Sequence, residues 1–414
     1  MTSNGKLLLV LTFVATLLLS VGCQAQNGRS SAKSGDRATA DSRSGGIVLG
    51  AEQMDLFLPA LQGKRVGLIV NHTSVVGRNH LVDSLIARGV TVKAILAPEH
   101  GFRGQATDGE TIADGRDIRT GVPIVSLYGA NRKPSKAMLD TLDVLLFDIQ
   151  DVGTRFYTYI STMHYAMEAC AENNKPLIVL DRPNPNGRYV DGPILDPKYR
   201  SFVGMHPIPI LHGLTVGELA RMINGERWLQ GADTNPKLLC PLTVVPMKFY
   251  NHQMDYTLPV APSPNLPNQQ AIRLYPTLCL FEGTIVSVGR GTDKQFQVIG
   301  GPGNPRFGPY QFTPADKPGA VNPPQEGKLC YGLDLSGTDA TRLGLSLKYL
   351  LDFYNKAADK DKFFLPTNYI DRLYGSDQLR LQLRAGLDEA AIRKTWEPGL
   401  GQYKEMRKKY LIYP

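Results

Sequence analysis

A carboxylate, an imidazole and a guanidinium lie within one short stretch of the chain, as Glu99, His100 and Arg103. They follow the apolar run 91–97 (TVKAILA), which predicts a buried strand. The glycines in EHGFRG allow a tight turn or the close approach of a ligand. Such a loop could move a proton or bind an anion, or it could be a polar turn held by its own ion pair. The other predicted strands bear on this choice.

From residue 65 onward, the chain alternates short apolar runs with amphipathic segments. The apolar runs predict five strands, at 65–70, 91–97, 122–129, 143–153 and 176–187. The segments between them predict helices at 79–89, 135–142 and 156–174. This alternation predicts an α/β domain with a mostly parallel sheet.

Polar side chains follow four of these five strands, at the point where each strand ends. They are Asn71 and His72, Glu99 and His100, Asp148 and Asp151, and the group Asp181, Arg182 and Asn184. Ligands of open α/β sheets bind beyond the carboxyl ends of the strands. Four such ends at one edge therefore predict a functional site rather than four unrelated turns.

Common cofactor motifs are absent from the sequence. The first strand leads into NHTSVVG rather than G-x-G-x-x-G, and no strand leads into a Walker motif or a G-x-S-x-G elbow. His and Cys are also too sparse in the C-terminal part to suggest a metal site there. We therefore expect no cofactor.

The first 46 residues differ in composition from the rest. The apolar run LLLVLTFVATLLLSVG is short for a membrane span and typical of a signal peptide. Its ending, SVGC, resembles a bacterial lipoprotein box, which predicts a signal peptide at 1–22, lipidation of Cys23 and a flexible tether at 23–46. We expect an exported, lipid-anchored lipoprotein of the periplasm or outer membrane. Cleavage after Ala25 would instead give a secreted soluble protein.

The charge balance is mildly basic, with 46 Lys and Arg against 38 Asp and Glu and a formal net charge of +8. The charge is spread along the chain, and the one dense run, KEMRKKY, is best explained as a solvated helix face. With the export signal, this argues against a nucleic acid partner and leaves the lipid anchor as the expected contact with a membrane. An anionic cell-wall substrate would suit this charge.

We divide the remaining chain into a first domain at 47–235 and a smaller second domain at 236–414. A helix predicted at 215–229 closes the first domain, and Thr215 with Glu218 forms a capping box, so Glu218 is predicted to be structural. In the second domain, VSVG before Arg290 and GKLCYGLDL predict strands, and helices are predicted at 341–357, 376–386 and 388–414.

Nine motifs together suggest a family. They are VNHTSV (70–75), APEHGFRG (97–104), SLYG (126–129), FDIQDVGTRFYTY (147–159), LDRPNPNG (180–187), LHGLTVGELA (211–220), SPNLP (263–267), FEGT (281–284) and GRGTDKQF (289–296). In these motifs the chain resembles the exo-β-N-acetylmuramidases of the NamZ type, over nearly all of its length from residue 47.

The resemblance implies a Rossmann-like N-terminal domain, a smaller α/β (α+β) C-terminal domain and an active-site cleft between them. It implies a glycosidase of cell-wall turnover and recycling, which releases terminal N-acetylmuramic acid from the non-reducing end of peptidoglycan fragments. The Glu of the EHG motif, here Glu99, is the leading catalytic candidate, and Glu282 is the second and weaker one.

Glycoside hydrolysis needs an acid at the leaving oxygen and a second group at the anomeric carbon. Glu99 is our acid. The second group is Asp148, Asp151 or Glu282, or the substrate's own 2-acetamido group, so retention and inversion both stay open.

Muramic acid also carries a lactyl carboxylate, which a guanidinium can bind through two hydrogen bonds. The candidates for this contact are Arg155, Arg182 and Arg290. Asp181, Asn184 and Asn265 are candidates for the sugar hydroxyls, and Tyr157 and Tyr159 for stacking on the ring. The remaining substrate-binding candidates are Asn71, His72, His100, Arg103, His212 and Asp293.

Two alternatives remain. A metal-dependent hydrolase would use Asp148, Asp151, His72 and His100, since hard cations favour carboxylates. A sugar-binding lipoprotein without catalysis would share the export signal and the cleft but would release no product.

Overall fold

The computed structural model describes residues 46–103, 115–230 and 238–414. Several predictions fall outside these residues: the signal peptide, Cys23 and nearly all of the tether, Gly104, and the domain boundary between 235 and 236. Within the described part of the chain, residues 46–414 belong to one compact unit.

A mostly parallel sheet organises the first half of this unit. In order across the sheet, its strands are β5 (Gly115–Arg116), β6 (Pro123–Ser126), β4 (Thr91–Ala97), β1 (Arg65–Val70), β7 (Val144–Asp148), β8 (Leu177–Leu180) and β9 (Leu242–Val245). All neighbours pair in parallel except β5, which runs antiparallel to β6 at the edge. The predicted fold class is confirmed, and the five predicted strands, now β1, β4, β6, β7 and β8, each start within a few residues of the predicted position.

Both faces of this sheet are buried, which explains why its strands are continuous apolar runs. Along β7, Leu145 and Phe147 join one hydrophobic cluster, while Val144 and Leu146 join the cluster on the opposite face. The same alternation occurs in the neighbouring strands, because successive side chains of a strand point to opposite faces.

Helices cover the two faces. On one side lie α1 (Met54–Leu61) and α2 (Leu81–Ile86), and on the other lie α4 (Tyr159–Glu172) and α5 (Val216–Gly225); α3 (Lys136–Leu139) is a single turn before β7. The capping box of α5 is present as predicted, with Glu218 N donating to Thr215 Oγ1 and Thr215 N donating to Glu218 Oε2. Glu218 is fully buried in this role.

The second half is built around a small antiparallel sheet. Its strands lie in the order β10 (Val298–Pro302), β12 (Cys330–Asp334) and β11 (Tyr310–Phe312). The helices are α6 (Gln269–Leu278), α7 (Lys348–Lys356), α8 (Tyr369–Tyr374), α9 (Gln378–Arg384) and α10 (Glu389–Lys408). The hairpin of β2 (Val75–Val76) and β3 (Asn79–His80) belongs to the first half.

One predicted strand differs from its prediction. The strand predicted over VSVG is reduced to an isolated bridge between Ser287 and Gly300, because Gly289 takes a left-handed conformation (φ 80°) that ends the extended run. The sheet of the first half also extends past residue 235, since β9 pairs with β8. Among the described residues, none of the helices has both the length and the apolar composition to cross a membrane.

Candidate active site

Four parallel strands end side by side at one edge of the sheet, and the predicted polar residues lie there. Because β4, β1, β7 and β8 are neighbours with the same direction, Glu99, Asn71, Asp148 and Asp181 all lie at or just beyond their carboxyl ends. These groups separate into two kinds. Some border an open cavity, and others form a buried network beside it.

The cavity has a volume of about 480 Å³. Its walls come from both halves of the unit: the loops after β4 and β6, the start of α4, residues 263–266, the region from α6 to Arg290, the loop at 320–324 and the start of α8. Of the predicted site residues, those that line it are Glu99, His100, Tyr157, Tyr159, Asn265, Glu282 and Arg290.

Glu99 enters the cavity from the loop after β4. The next two residues, His100 (φ 68°) and Gly101 (φ 77°), are both left-handed, which turns the chain sharply. This backbone conformation is strained for a residue other than glycine, and such strain is often found at functional sites. The Thr158 hydroxyl donates to Glu99 Oε2 at 2.8 Å, and the Tyr159 hydroxyl lies 3.4 Å from the Glu99 carbonyl oxygen. The carboxylate is therefore held in place by the start of α4.

Glu282 reaches the same cavity from the second half. It lies in a 3-10 turn at Cys279–Gly283, and its Oε1 accepts from Arg290 Nε at 2.7 Å. Gly283 lets α8 approach closely, because a Cβ there would lie 2.4 Å from the backbone nitrogen of Ile370. This close packing brings Tyr369, the first residue of α8, to the cavity wall.

Tyr369 links the two carboxylates electrostatically. Burial, and then the negative charges of Glu282 and more weakly Glu99, raise the pKa of the Tyr369 hydroxyl. The hydroxyl therefore stays protonated over the physiological range. Both acidic groups thus act on one side chain of the cavity wall.

Aromatic side chains make up much of the remaining wall. Tyr157 packs edge-to-face on Tyr159 and Tyr275, and its hydroxyl donates to the Pro262 carbonyl at 2.8 Å. Burial raises the pKa of Tyr157, so it too remains a neutral donor. Aromatic faces and fixed hydroxyls of this kind suit the apolar faces and hydroxyl groups of a sugar ring.

Asn265 is the amide of the cavity wall. Its Nδ2 donates to the Gly319 carbonyl at 3.2 Å, and its Oδ1 is buried without a hydrogen-bond partner among the described residues. An unpaired buried acceptor is costly unless a ligand or water supplies a donor. Asn265 is therefore equipped to accept a hydrogen bond from a bound molecule.

The buried network begins with an ion pair between the ends of β7 and β8. Asp148 accepts from Arg182 Nε at 2.5 Å and Nη2 at 2.8 Å, and both residues are almost completely buried. The Asp148 carbonyl accepts from Ser74 Oγ, and Asn71 Oδ1 accepts from Thr73. These groups hold the strand ends together and do not line the cavity.

Asp181 belongs to the same buried network, which we call the scaffold. It is fully buried and accepts from Thr215 Oγ1 and Tyr413 Oη, both at 2.7 Å, and from Gly217 N at 2.8 Å. Burial, reinforced by the charge of Glu218, raises the pKa of Asp181 to about 6. It ties β8 to α5 and to the C-terminus.

Asp151, Asn184 and His212 are also buried. Asp151 Oδ2 accepts from Gly153 N at 2.7 Å, and His212 Nε2 lies 3.7 Å from it. Asn184 donates to the Leu214 carbonyl at 2.9 Å. None of the three lines the cavity.

Arg155 has a structural position that its sequence context does not reveal. The side chain is fully buried, and its two terminal nitrogens donate to four backbone carbonyls, those of Pro193, Ile208, Leu373 and Tyr374. Desolvation lowers its pKa to about 9. The guanidinium joins the two halves of the unit and lies outside the cavity, so we leave it out of the proposed site.

Three further candidates also lie outside the cavity. Arg103 forms a bidentate pair with Asp117, at 3.0 and 2.9 Å. His72 Nε2 lies 2.8 Å from the Ala261 carbonyl. Asp293 is exposed and pairs with Lys317.

The structure also adds residues that sequence reasoning missed. Thr158, Ser263, Tyr275, Cys279 and Tyr369 line the cavity, as do Tyr128 and Arg132 from the loop after β6. Tyr128 and Arg132 follow the one strand of the five for which no polar end was predicted. Their position after a parallel strand was the available signal.

The residues of the metal-dependent alternative are not assembled as ligands. Asp148 is ion-paired with Arg182. Across 46–103, 115–230 and 238–414, no three His, Cys, Asp or Glu side chains are grouped so as to hold a metal ion.

Beyond the strand ends of a doubly covered parallel sheet, two carboxylates line one aromatic-walled cavity, and a pair of carboxyl groups in one site is what glycoside hydrolases use. Comparisons with known proteins agree. Two family models match, one described as Exo-beta-N-acetylmuramidase NamZ, N-terminal, over 66–270, and one as Exo-beta-N-acetylmuramidase NamZ, C-terminal, over 273–413. The chain belongs to the exo-beta-N-acetylmuramidase NamZ family.

Individual relatives are similar over most of their length. Peptidoglycan beta-N-acetylmuramidase NamZ of Bacillus subtilis (strain 168) is 42% identical over 393 residues, covering 87% of this chain and 90% of the relative. Two crystal structures of DUF1343 family proteins from Bacteroides fragilis NCTC 9343 share the fold. One has a TM-score of 0.80 with 48% identity, covering 89% of this chain and 99% of its own. The other has a TM-score of 0.74 with 32% identity, covering 90% and 100%. The predicted family and its glycosidase class are thereby confirmed, and the non-catalytic and metal-dependent alternatives are not favoured.

Proposed function

We propose that this protein hydrolyses the β-glycosidic bond of a terminal N-acetylmuramic acid, at the non-reducing end of peptidoglycan fragments. The observation that carries the proposal is the presence of Glu99 and Glu282 in one aromatic-lined cavity. The name of the Bacillus subtilis relative, peptidoglycan beta-N-acetylmuramidase, supports the choice of bond and sugar.

Glu99 acts as the general acid. It protonates the glycosidic oxygen as the bond to the leaving group breaks. The hydrogen bond from Thr158 at 2.8 Å orients its carboxyl group, and the turn through His100 fixes the loop beneath it. This positioning reduces the reorganisation needed at the moment of proton transfer.

Glu282 supplies the second negative group. The hydrogen bond from Arg290 at 2.7 Å fixes its orientation and compensates its charge inside the cavity. From there it stabilises the positive charge that develops at the anomeric carbon, by acting on a water, on that carbon or on the 2-acetamido group of the substrate. Asp148 and Asp151 are left to the scaffold because neither lines the cavity.

The direct test is turnover of a chromogenic β-N-acetylmuramic acid glycoside by the purified protein, with the matching β-N-acetylglucosamine glycoside beside it. We expect release from the muramic substrate and little from the other. Saturable binding of muramyl sugars without release of product would instead identify a sugar-binding lipoprotein and end the proposal.

Charge-neutral variants test the two roles. Glu99→Gln keeps the size of the side chain but removes the proton, so kcat should fall on the order of 10²–10⁴-fold. In Glu282→Gln, kcat should fall on the order of 10²-fold or more, because the substitution removes a charge aimed at the transition state. The matched control is Glu405→Gln, an exposed residue of α10 paired with Lys408, which should keep full activity. Equal activity in Glu99→Gln and Glu405→Gln would remove Glu99 from the mechanism.

We further propose that the protein is exported and anchored to the cell envelope through a lipid on Cys23. The apolar run before SVGC and the Ser- and Gly-rich segment after it support this proposal. Metabolic labelling with palmitate should mark the full-length protein, and Cys23→Ser should remove the label and release the protein from the membrane fraction. Unchanged fractionation of Cys23→Ser would favour the secreted soluble alternative.

A further inference from the structure

Arg132 lies on the loop between β6 and α3, where the cavity meets a second, more open one of about 670 Å³. Its side chain lines both cavities. A ligand seated beside Glu99 would therefore have Arg132 at the exit of its binding site.

The guanidinium of Arg132 is held in place by an aromatic ring. Its Cζ lies over the Phe202 ring, 4.2 Å from the centroid. Within the described ranges, no carboxylate lies within 4.0 Å of it, and its buried Nε has no hydrogen-bond partner. Stacking on an aromatic face leaves the in-plane N–H groups of a guanidinium available for a bidentate contact.

The loop that carries Arg132 is fixed by its neighbour. Lys133 Nζ lies 2.7 Å from both Glu168 Oε1 and Glu172 Oε2 of α4. These contacts compensate the charge of Lys133 and hold the loop against α4. Because Arg132 lies on the same loop, its position is preorganised. Preorganisation of this kind lowers the entropic cost of binding.

The three arginines that the sequence offered for the lactyl carboxylate are already engaged. Arg182 is bound to Asp148, Arg290 to Glu282, and Arg155 to four backbone carbonyls. A further anion would have to compete with these partners. Arg132 would not face that competition from a described carboxylate.

We propose that Arg132 binds the lactyl carboxylate of muramic acid and is thereby the residue that distinguishes this sugar from N-acetylglucosamine. The inference rests on the proposed function. It assigns to one side chain the only charged group in which the two sugars differ, and a bidentate guanidinium–carboxylate contact is the strongest neutral-pH means of reading it.

The test pairs the side chain with the charge it reads. A chromogenic β-N-acetylmuramic acid glycoside and its methyl ester, which is uncharged, are compared on wild type, Arg132→Met and Arg132→Lys. For wild type, kcat/KM should be roughly 10- to 100-fold lower on the ester, as expected for a charge-assisted contact. Arg132→Met should lower kcat/KM by about the same factor on the acid and change it little on the ester. The kcat/KM of Arg132→Lys on the acid should lie between those of wild type and Arg132→Met.

The position control is Arg372→Met, which removes an exposed guanidinium that lines only the second cavity. It should discriminate acid from ester as wild type does. The inference is overturned if Arg132→Met lowers activity on acid and ester equally, or if Arg372→Met loses the discrimination to the same extent. Matching circular dichroism spectra show that a variant is folded.

Binding separates failure of this inference from failure of the proposed function. If wild type hydrolyses neither glycoside, the proposed function fails, and calorimetry with free N-acetylmuramic acid and its methyl ester decides on Arg132. Tighter binding of the acid that is lost in Arg132→Met supports the contact, and equal affinities overturn it.

Discussion

The edge of the parallel sheet holds two polar regions that look alike in sequence and differ in structure. In the scaffold region, Asp148, Arg182 and Asp181 each have fixed hydrogen-bond partners, and none of the three lines the cavity. In the cavity region, Glu99 and Glu282 border open volume, and hydrogen bonds from Thr158 and Arg290 orient them there.

The difference shows which property of a polar strand end indicates function. Carboxylates at the ends of parallel strands can hold the strands together or face a substrate. What separates the two cases is whether another part of the chain covers them. The C-terminus covers Asp181 through Tyr413, whereas α8 and the 320–324 loop form a wall around Glu99 at a distance.

The largest expected effect lies in the scaffold. Asp148→Asn leaves the buried charge of Arg182 without its counter-charge, and breaking a buried ion pair in this way costs about 3–5 kcal/mol. We expect the free energy of unfolding, measured by denaturant titration, to fall by about that amount. The protein that remains folded should keep its catalytic rate.

The control uses another Asp–Arg pair, at the amino ends of β1 and β7. Asp143 pairs with Arg65 at 2.8 Å, where both side chains are substantially exposed. Asp143→Asn should therefore destabilise the protein much less. Comparable losses for the two variants, or a normal unfolding curve with lost turnover in Asp148→Asn, would contradict the assignment of Asp148 to the scaffold.

A smaller effect concerns pH and Asp181. Burial, aided by the charge of Glu218, raises the pKa of Asp181 to about 6, above the value near 3.9 expected in the unfolded chain. The folded state therefore binds the proton more tightly. This contribution is fully present below about pH 4 and is lost as the pH rises through 6, which amounts to roughly 3 kcal/mol.

Asp181→Asn isolates this contribution, because the amide stays neutral. The difference in unfolding free energy between wild type and Asp181→Asn should shift by that amount in favour of the variant between pH 4 and pH 7. Denaturant titrations at four pH values in this range provide the measurement. Parallel curves for the two proteins would show that Asp181 does not titrate there.

The fold could be predicted from sequence because its determinants are local. Alternating apolar runs and helical spacing place the five strands, and the four residues of the capping box place the start of α5. The convergence of four polar strand ends also follows, since parallel neighbours end at one edge. The resemblance to a family added the identity of the chemistry.

The separation of scaffold from cavity could not be predicted, because long-range contacts decide it. Arg155 donates hydrogen bonds to the carbonyls of Leu373 and Tyr374, more than 200 positions away, and Asp181 accepts one from Tyr413. Tyr275 and Tyr369 reach the cavity only because α6 and α8 pack there. Arg132 is one of 46 basic residues, and only its neighbours in space distinguish it.

The smallest expected effect tests the cavity region alone. Thr158→Val removes the hydroxyl that donates to Glu99 and keeps the branched shape of the side chain. Thr158 makes no side-chain cap for α4, so the helix should be unaffected. Losing one hydrogen bond to the carboxylate costs about 1 kcal/mol, so kcat/KM on the muramic glycoside should fall roughly two- to tenfold at an unchanged melting temperature.

Thr158→Ser, which keeps the hydroxyl, is the matched control and should stay near wild type. If both variants lost activity equally, the contact would serve packing rather than orientation of Glu99, and the cavity would resemble the scaffold beside it more closely than its geometry suggests.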